Sequence, residues 1–239
     1  MNEAAFDQYE LDQHYQAACR QAAIDLPDLL PKVGEFLAKR DSKLVGTPTM
    51  YNSYRLVELH YWLERHKPRT IVELGSGATT LVFVEYAAHS GATILAFEEQ
   101  LEYVQALGEY LEPKGAANLK AFIVPRVVEC RNGEQTCRYD FEWVNGDVPQ
   151  TIDLLYVDGP DNRDPEGGAS FAGSDPVRLA GCRVVRNLLV DIRLSTIRAF
   201  LASPIGQEYN CEPGAQLAAK SGLPWYATPV RHHSWLRKK

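Results

Sequence analysis

Five acids stand at or beside the ends of short apolar runs, and two glycines follow the first of them. Glu73 lies in Thr70-Ile-Val-Glu-Leu74 and is followed by Gly75-Ser76-Gly77-Ala78-Thr79-Thr80. Glu98 and Glu99 close Thr93-Ile-Leu-Ala-Phe97, Asp158 closes Ile152-Asp-Leu-Leu-Tyr-Val157, and Asp191 closes Leu188-Leu-Val190. A carboxylate so placed can accept hydrogen bonds from a cationic amino group, offer paired acceptors to a vicinal diol, or take a proton from a reacting hydroxyl or amine. Glycine at 75 and 77 lets the backbone take positive φ and lets a ligand approach without meeting a Cβ. Ser76 sits between them, and Thr79 or Thr80 is placed to cap a helix that starts there.

These residues act together only if one edge of a sheet gathers them. Ile71, Val72 and Leu74 are β-formers in a run too short for a helix, whereas Leu81-Val-Phe-Val-Glu-Tyr-Ala-Ala88 is long enough to continue as a buried helix. The reading is strand, tight turn, helix. Thr93–Phe97 then follows at the spacing of a βαβ unit, and Glu98 stands 25 positions beyond Glu73 (98 − 73). An acid at the end of that second strand reaches a ribose, and ligands of open α/β sheets bind at the carboxyl ends of the strands. A dinucleotide fingerprint would want glycine or alanine where Thr80 stands. An exposed Glu73 two places before the first glycine instead suits a ligand with a cationic amino-acid group.

Glu73-Leu-Gly-Ser-Gly-Ala-Thr-Thr80 resembles the first motif of class I S-adenosylmethionine-dependent methyltransferases, in the form found in their catechol-methyltransferase-like relatives. Val157-Asp-Gly-Pro160 resembles the fourth-strand motif of the same group, so two motifs agree in order and spacing over residues 45–236. The resemblance implies a Rossmann-like, doubly wound, mostly parallel seven-stranded α/β sheet with an antiparallel last strand. It implies S-adenosyl-L-methionine as cofactor, held by Glu73, Gly75, Ser76, Gly77, Thr79, Thr80, Glu98 or Glu99, and Asp158. Asp158 and Asp191 are the acidic candidates for catalysis. Catechol-type relatives hold Mg²⁺ with a fourth-strand acid and an Asp-Asn pair on the fifth; here Ile192 follows Asp191 and offers no side-chain oxygen, so no metal is expected.

The rest of the chain fits that outline. Its 239 residues, 45% hydrophobic and 23% charged, suit one soluble α/β domain with extensions. Residues 1–44 are expected to be an N-terminal helical extension, with helices at 3–24 and 31–40, and 45–239 the cofactor-binding domain. Residues 47–53 read as a loop, 54–66 as an amphipathic helix ended by Pro68, 101–111 as a helix, and 119–124 as a third strand. Residues 127–143 read as a hairpin in which Cys130 and Cys137 might face each other and Tyr139 and Trp143 either border the cofactor or pack on the sheet. A helix is expected at 195–201 and the last two strands at 207–211 and 226–236, with His232 and His233 left without a role. Residues 159–176 read as a long loop, a candidate lid with Phe171 at its tip and Arg163 reaching an acidic substrate group.

Net charge of −6 disfavours nucleic acid as a partner. Five scattered cysteines suit reduced thiols, and no run approaches a membrane span or the apolar core of a signal peptide, so a cytoplasmic location is expected. The function expected is methyl transfer to a small-molecule acceptor. The alternatives are an NAD(P)-dependent oxidoreductase, against which Thr80 counts, and a nucleoside-binding module without turnover.

Overall fold

The computed structural model describes residues 20, 24–40, 49–111, 113–131, 134–144, 146–162, 171–191, 193–212 and 233–239. The expected helix at 3–24 apart from Arg20 and Ile24, Arg163, and all of 213–232 including His232 lie outside them. Among the described residues the chain opens with α1 (Leu29–Arg40) and α2 (Thr49–His66), then β1 (Thr70–Leu74), α3 (Ala78–Ser90), β2 (Thr93–Glu98) and α4 (Leu101–Gly108). After a single turn at Pro113–Ala116 come β3 (Leu119–Ile123), β4 (Arg126–Arg131), β5 (Glu134–Tyr139), β6 (Thr151–Val157) and β7 (Ala172–Gly173). The chain ends with α5 (Asp175–Cys182), β8 (Val184–Asp191), α6 (Leu194–Ala202), β9 (Tyr209–Glu212) and β10 (His233–Lys238).

The main sheet runs β3-β2-β1-β6-β8-β10-β9, with every pair parallel except those of β10, which is antiparallel to both neighbours. Order reverses between β1 and β6, so their carboxyl ends flank a crevice of the kind that binds ligands in open α/β sheets. Ile71, Val72 and Leu74 are wholly buried because a parallel sheet is covered on both faces. One face carries Ile71, Ile94, Leu154, Tyr156 and Leu189 against Val33, Phe36, Leu59, Leu63, Leu81 and Phe83 of α1 to α3. The other carries Val72, Leu95, Leu155, Val157, Leu188 and Val190 against Leu179, Ile197 and Phe200 of α5 and α6. Helix α3 is apolar almost all round and ends at Gly91, whose left-handed φ of 72° lets its N–H return to the Ala87 carbonyl.

Several boundaries differ from expectation. Helix α2 begins at Thr49, inside the expected loop, and α4 stops at Gly108. The expected hairpin forms, β4 antiparallel to β5, but in a separate three-stranded sheet with β7. Cys130 faces Gln135 and Cys137 faces Val128, so the two cysteines are not cross-strand partners, and both are free thiols. The loop after Asp158 is shorter than expected: the Phe171 N–H donates to the Asn162 carbonyl at 2.7 Å, Ala172 and Gly173 pair with β5, and α5 starts at Asp175. Phe171 is buried. No helix among the described residues is long and apolar enough to cross a membrane.

Candidate active site

Register brings the acids to one rim. Glu73 pairs with Ala96 of β2 and Tyr156 of β6, and Val157 pairs with Val190, which puts Asp158 and Asp191 one step further on at the same level of adjacent strands. Side chains two apart share a face. Glu73, Glu98, Asp158 and Asp191 therefore stand on the α1 to α3 side of the carboxyl edge.

At the glycine turn the roles divide unexpectedly. Gly75 has φ 92°, and a Cβ there would stand 2.6 Å from the Gly159 nitrogen, so this glycine is required by the approach of the β6 end. Gly77 has an extended φ of 179°, which any residue adopts, and a Cβ there would meet nothing within 4 Å. Gly77 is the glycine that faces open space. The Ser76 hydroxyl between them is buried and has no hydrogen-bond partner among the described residues.

The expectation of an exposed Glu73 is corrected. Its side chain is 0% exposed, the Thr79 hydroxyl donates to Oε1 and the Thr80 hydroxyl to Oε2, each at 2.7 Å. Burial pushes its pKa up to about 8, against the pull of the two threonine hydroxyls. Thr80 also accepts the Gly77 N–H at 2.9 Å. Glu73, Thr79 and Thr80 thus tie the strand end to the first turn of α3 and turn their polar atoms to one another. Sequence reasoning missed this because a carboxylate followed six and seven residues later by hydroxyls looks like three separate ligand contacts until the helix folds back.

Glu98 is buried at the end of β2, as expected. Its Oε2 accepts the Ser76 N–H and its Oε1 the N–H groups of Glu99 and Gln100, all at 2.9 Å. Burial raises its pKa, opposed by these three donors. A carboxylate has about four lone-pair sites, so it retains capacity for one further donor. Glu99 points elsewhere: it accepts the Asp161 N–H at 2.9 Å and pairs with Arg126 at 3.6 Å, holding the loop after β6 to the hairpin.

Asp158 and Asp191 differ in access. The Asp158 side chain is 27% exposed, whereas Asp191 is buried at 4%. Arg193 was not singled out by the sequence. Its backbone N–H donates to the Asp191 carbonyl, and its guanidinium donates to the carbonyls of Asp158 and, at 2.7 Å, Pro160, with Nη2 3.7 Å from Asp158 Oδ1.

Three further polar groups emerged only from the structure. Asp175 is fully buried, and its carboxylate accepts the Tyr139 N–H at 2.8 Å and the Trp143 indole N–H at 2.9 Å, with Arg178 3.5 Å away. Trp143 packs edge-on to Phe97, so it is a sheet-packing aromatic. The Tyr139 hydroxyl is buried without a partner, beside Gly159. His233 lies between Glu58 Oε2, 3.4 Å from Nδ1, and the Tyr156 hydroxyl, 3.0 Å from Nε2, all three buried. The pairing of an α2 acid with a β10 histidine leaves no local signature in sequence.

Open space over Gly77, a Ser76 hydroxyl with no hydrogen-bond partner among the described residues, and Glu98 with acceptor capacity are features that a nucleoside ligand would use. Asp158 carries the Arg193 guanidinium, and among the described residues no three His, Cys, Asp or Glu side chains converge as a ligand set.

Comparison with known proteins agrees with the fold. No protein-family model and no curated protein matches the chain. Among solved structures it is similar to an SAH-bound methyltransferase from Podospora anserina, at 15% identity and TM-score 0.57 over 100% of both chains. It is also similar to a putative O-methyltransferase from Klebsiella pneumoniae, at 12% identity and TM-score 0.54 over 95% of this chain and 98% of that one. The fold is therefore the Rossmann-like methyltransferase fold, with the mostly parallel seven-stranded sheet and antiparallel last strand expected.

Proposed function

We propose that the protein is an S-adenosylmethionine-dependent methyltransferase acting on a small-molecule acceptor. The observation that carries this reading is the pairing of the methyltransferase fold with an open Gly77 and an unpartnered Ser76 hydroxyl at the crevice between β1 and β6. The SAH held by the Podospora protein supports the choice of ligand. A small acceptor is favoured because the rim carries four acids on one face and the whole chain −6, which repels a phosphate backbone.

When bound, S-adenosylmethionine supplies a methyl group on a positively charged sulfur. The chain positions and deprotonates. Glu98 takes a ribose hydroxyl with its remaining acceptor capacity, and the Ser76 hydroxyl gains the partner it lacks. The backbone at Gly77 lies alongside the ligand without a Cβ between them. Asp158, the more exposed rim acid, accepts the proton of the acceptor group as the methyl is transferred, and buried Asp191 sets the negative field beside it. Holding donor and acceptor in line accounts for most of the acceleration such a site must provide.

Calorimetry with S-adenosylmethionine and S-adenosylhomocysteine at about 1 mM tests the cofactor, since a millimolar Kd corresponds to only ~4 kcal/mol. Heat from both ligands is the expected result; none on folded protein overturns the reading. A screen of phenols, amines, carboxylates and sugars with labelled donor then identifies the acceptor.

A further inference from the structure

We propose that Arg193 is a resident cation of this rim, a positioning residue that holds Asp158 and keeps a divalent metal ion from binding there. The inference rests on the methyl-transfer reading for its meaning but on Arg193 for its evidence. Asp158 and Asp191 lie on adjacent parallel strands at one level, which places their backbones about 4.8 Å apart. A cation bound at Asp158 therefore stands at the level of Asp191 as well.

The chain provides one. Arg193 follows β8 directly, and its N–H bond to the Asp191 carbonyl turns it back toward β6. The guanidinium is then fixed by the carbonyls of Asp158 and Pro160 and lies 3.7 Å from Asp158 Oδ1, with a side chain only 15% exposed. A planar guanidinium anchored by two acceptors has little freedom left, so its charge stays at the carboxylate. Among the described residues, Arg126 is turned instead to Glu99 and the Asp161 carbonyl. A divalent ion, which needs oxygen ligands in near-octahedral array, would have to displace Arg193 from Asp158.

Mn²⁺ is a direct probe because its binding is read by electron paramagnetic resonance without knowledge of the acceptor. Wild type is expected to leave Mn²⁺ free at about 100 μM, a concentration at which a site with 10 μM Kd would be about nine-tenths filled. Arg193→Ala is expected to bind at least tenfold more tightly than wild type, and Arg193→Ala with Asp158→Asn to lose that gain. Arg193→Gln, which keeps donors for the two carbonyls, repeats the test should alanine release the loop, with circular dichroism confirming the fold. Wild-type Mn²⁺ binding that Asp158→Asn abolishes would overturn the proposal, as would failure of both folded Arg193 variants to gain affinity. Calorimetry with S-adenosylmethionine on the same samples keeps the two readings apart: a wild type that binds neither ligand sinks the methyltransferase assignment and leaves the Mn²⁺ comparison standing.

Discussion

The backbones of Gly75 and Gly159 touch: a Cβ on Gly75 would lie 2.6 Å from the Gly159 nitrogen, and a Cβ on Gly159 would lie 2.6 Å from the Gly75 Cα. The contact closes the ends of β1 and β6 on each other, helped by the Asp158 N–H bond to the Leu74 carbonyl at 2.8 Å. Gly75→Ala and Gly159→Ala are each expected to destabilise by about 2 kcal/mol or more, through overpacking against backbone that cannot retreat. Gly181→Ala in α5, where a Cβ meets nothing, is the control and should be neutral or stabilising. Thermal unfolding of the three variants checks the ranking; equal melting temperatures would contradict the contact.

Gly77 behaves oppositely. Gly77→Val has room in the protein and an extended φ to adopt, so the variant should melt within a few degrees of wild type. Its isopropyl group would occupy the space over the turn. Loss of S-adenosylmethionine binding by about 100-fold or more, ~2.7 kcal/mol, is the expected outcome in calorimetry. Undiminished affinity would place the ligand elsewhere.

The Tyr139 hydroxyl presents a case where removal should help. It is buried without a partner, and burial, reinforced by Glu98, raises its pKa well above the ordinary tyrosine value. An unsatisfied buried hydroxyl costs about 1–3 kcal/mol. Tyr139→Phe keeps the ring and should leave stability unchanged or raised by about 1 kcal/mol in urea unfolding, whereas a loss above that would reveal a partner the hydroxyl needs.

Glu73 sets a pH dependence whose sign follows from its shift. Its folded pKa of about 8 lies above the ordinary 4.5, so between those values the folded chain retains a proton that the unfolded chain has released. The stability this group contributes is fully present below about pH 4.5, falls as pH rises, and is lost by about pH 8. The slope is at most about 1.4 kcal/mol per pH unit. Glu73→Gln cannot titrate, and its amide nitrogen forces one threonine hydroxyl to turn, a pH-independent offset of about 1 kcal/mol. Subtracting the two stability profiles should therefore give a difference that shifts steadily in the variant's favour from pH 5 to 8; a flat difference would mean Glu73 is ionised throughout.

What the sequence determined alone was the strands that carry the rim acids. Runs such as Ile71–Leu74, Thr93–Phe97 and Ile152–Val157 are buried on both faces, and a run of that length between turn formers can be little else, so their order and the acids that close them were legible locally. A hairpin was legible within 127–143 from two β-prone runs about an Asn132-Gly133 turn, and it forms between Arg126–Arg131 and Glu134–Tyr139. What only the tertiary structure decided was which polar atoms face a ligand and which face one another. Glu73 and the threonines satisfy each other because α3 folds back over β1. Gly75 packs against Gly159, 84 residues away (159 − 75). Arg193 reaches Asp158, Glu58 reaches His233 and Asp175 reaches Trp143 across separations that no window of sequence spans. Burial and hydrogen-bond satisfaction are properties of neighbours in space, and for a carboxylate they decide between binding a ligand and holding a turn.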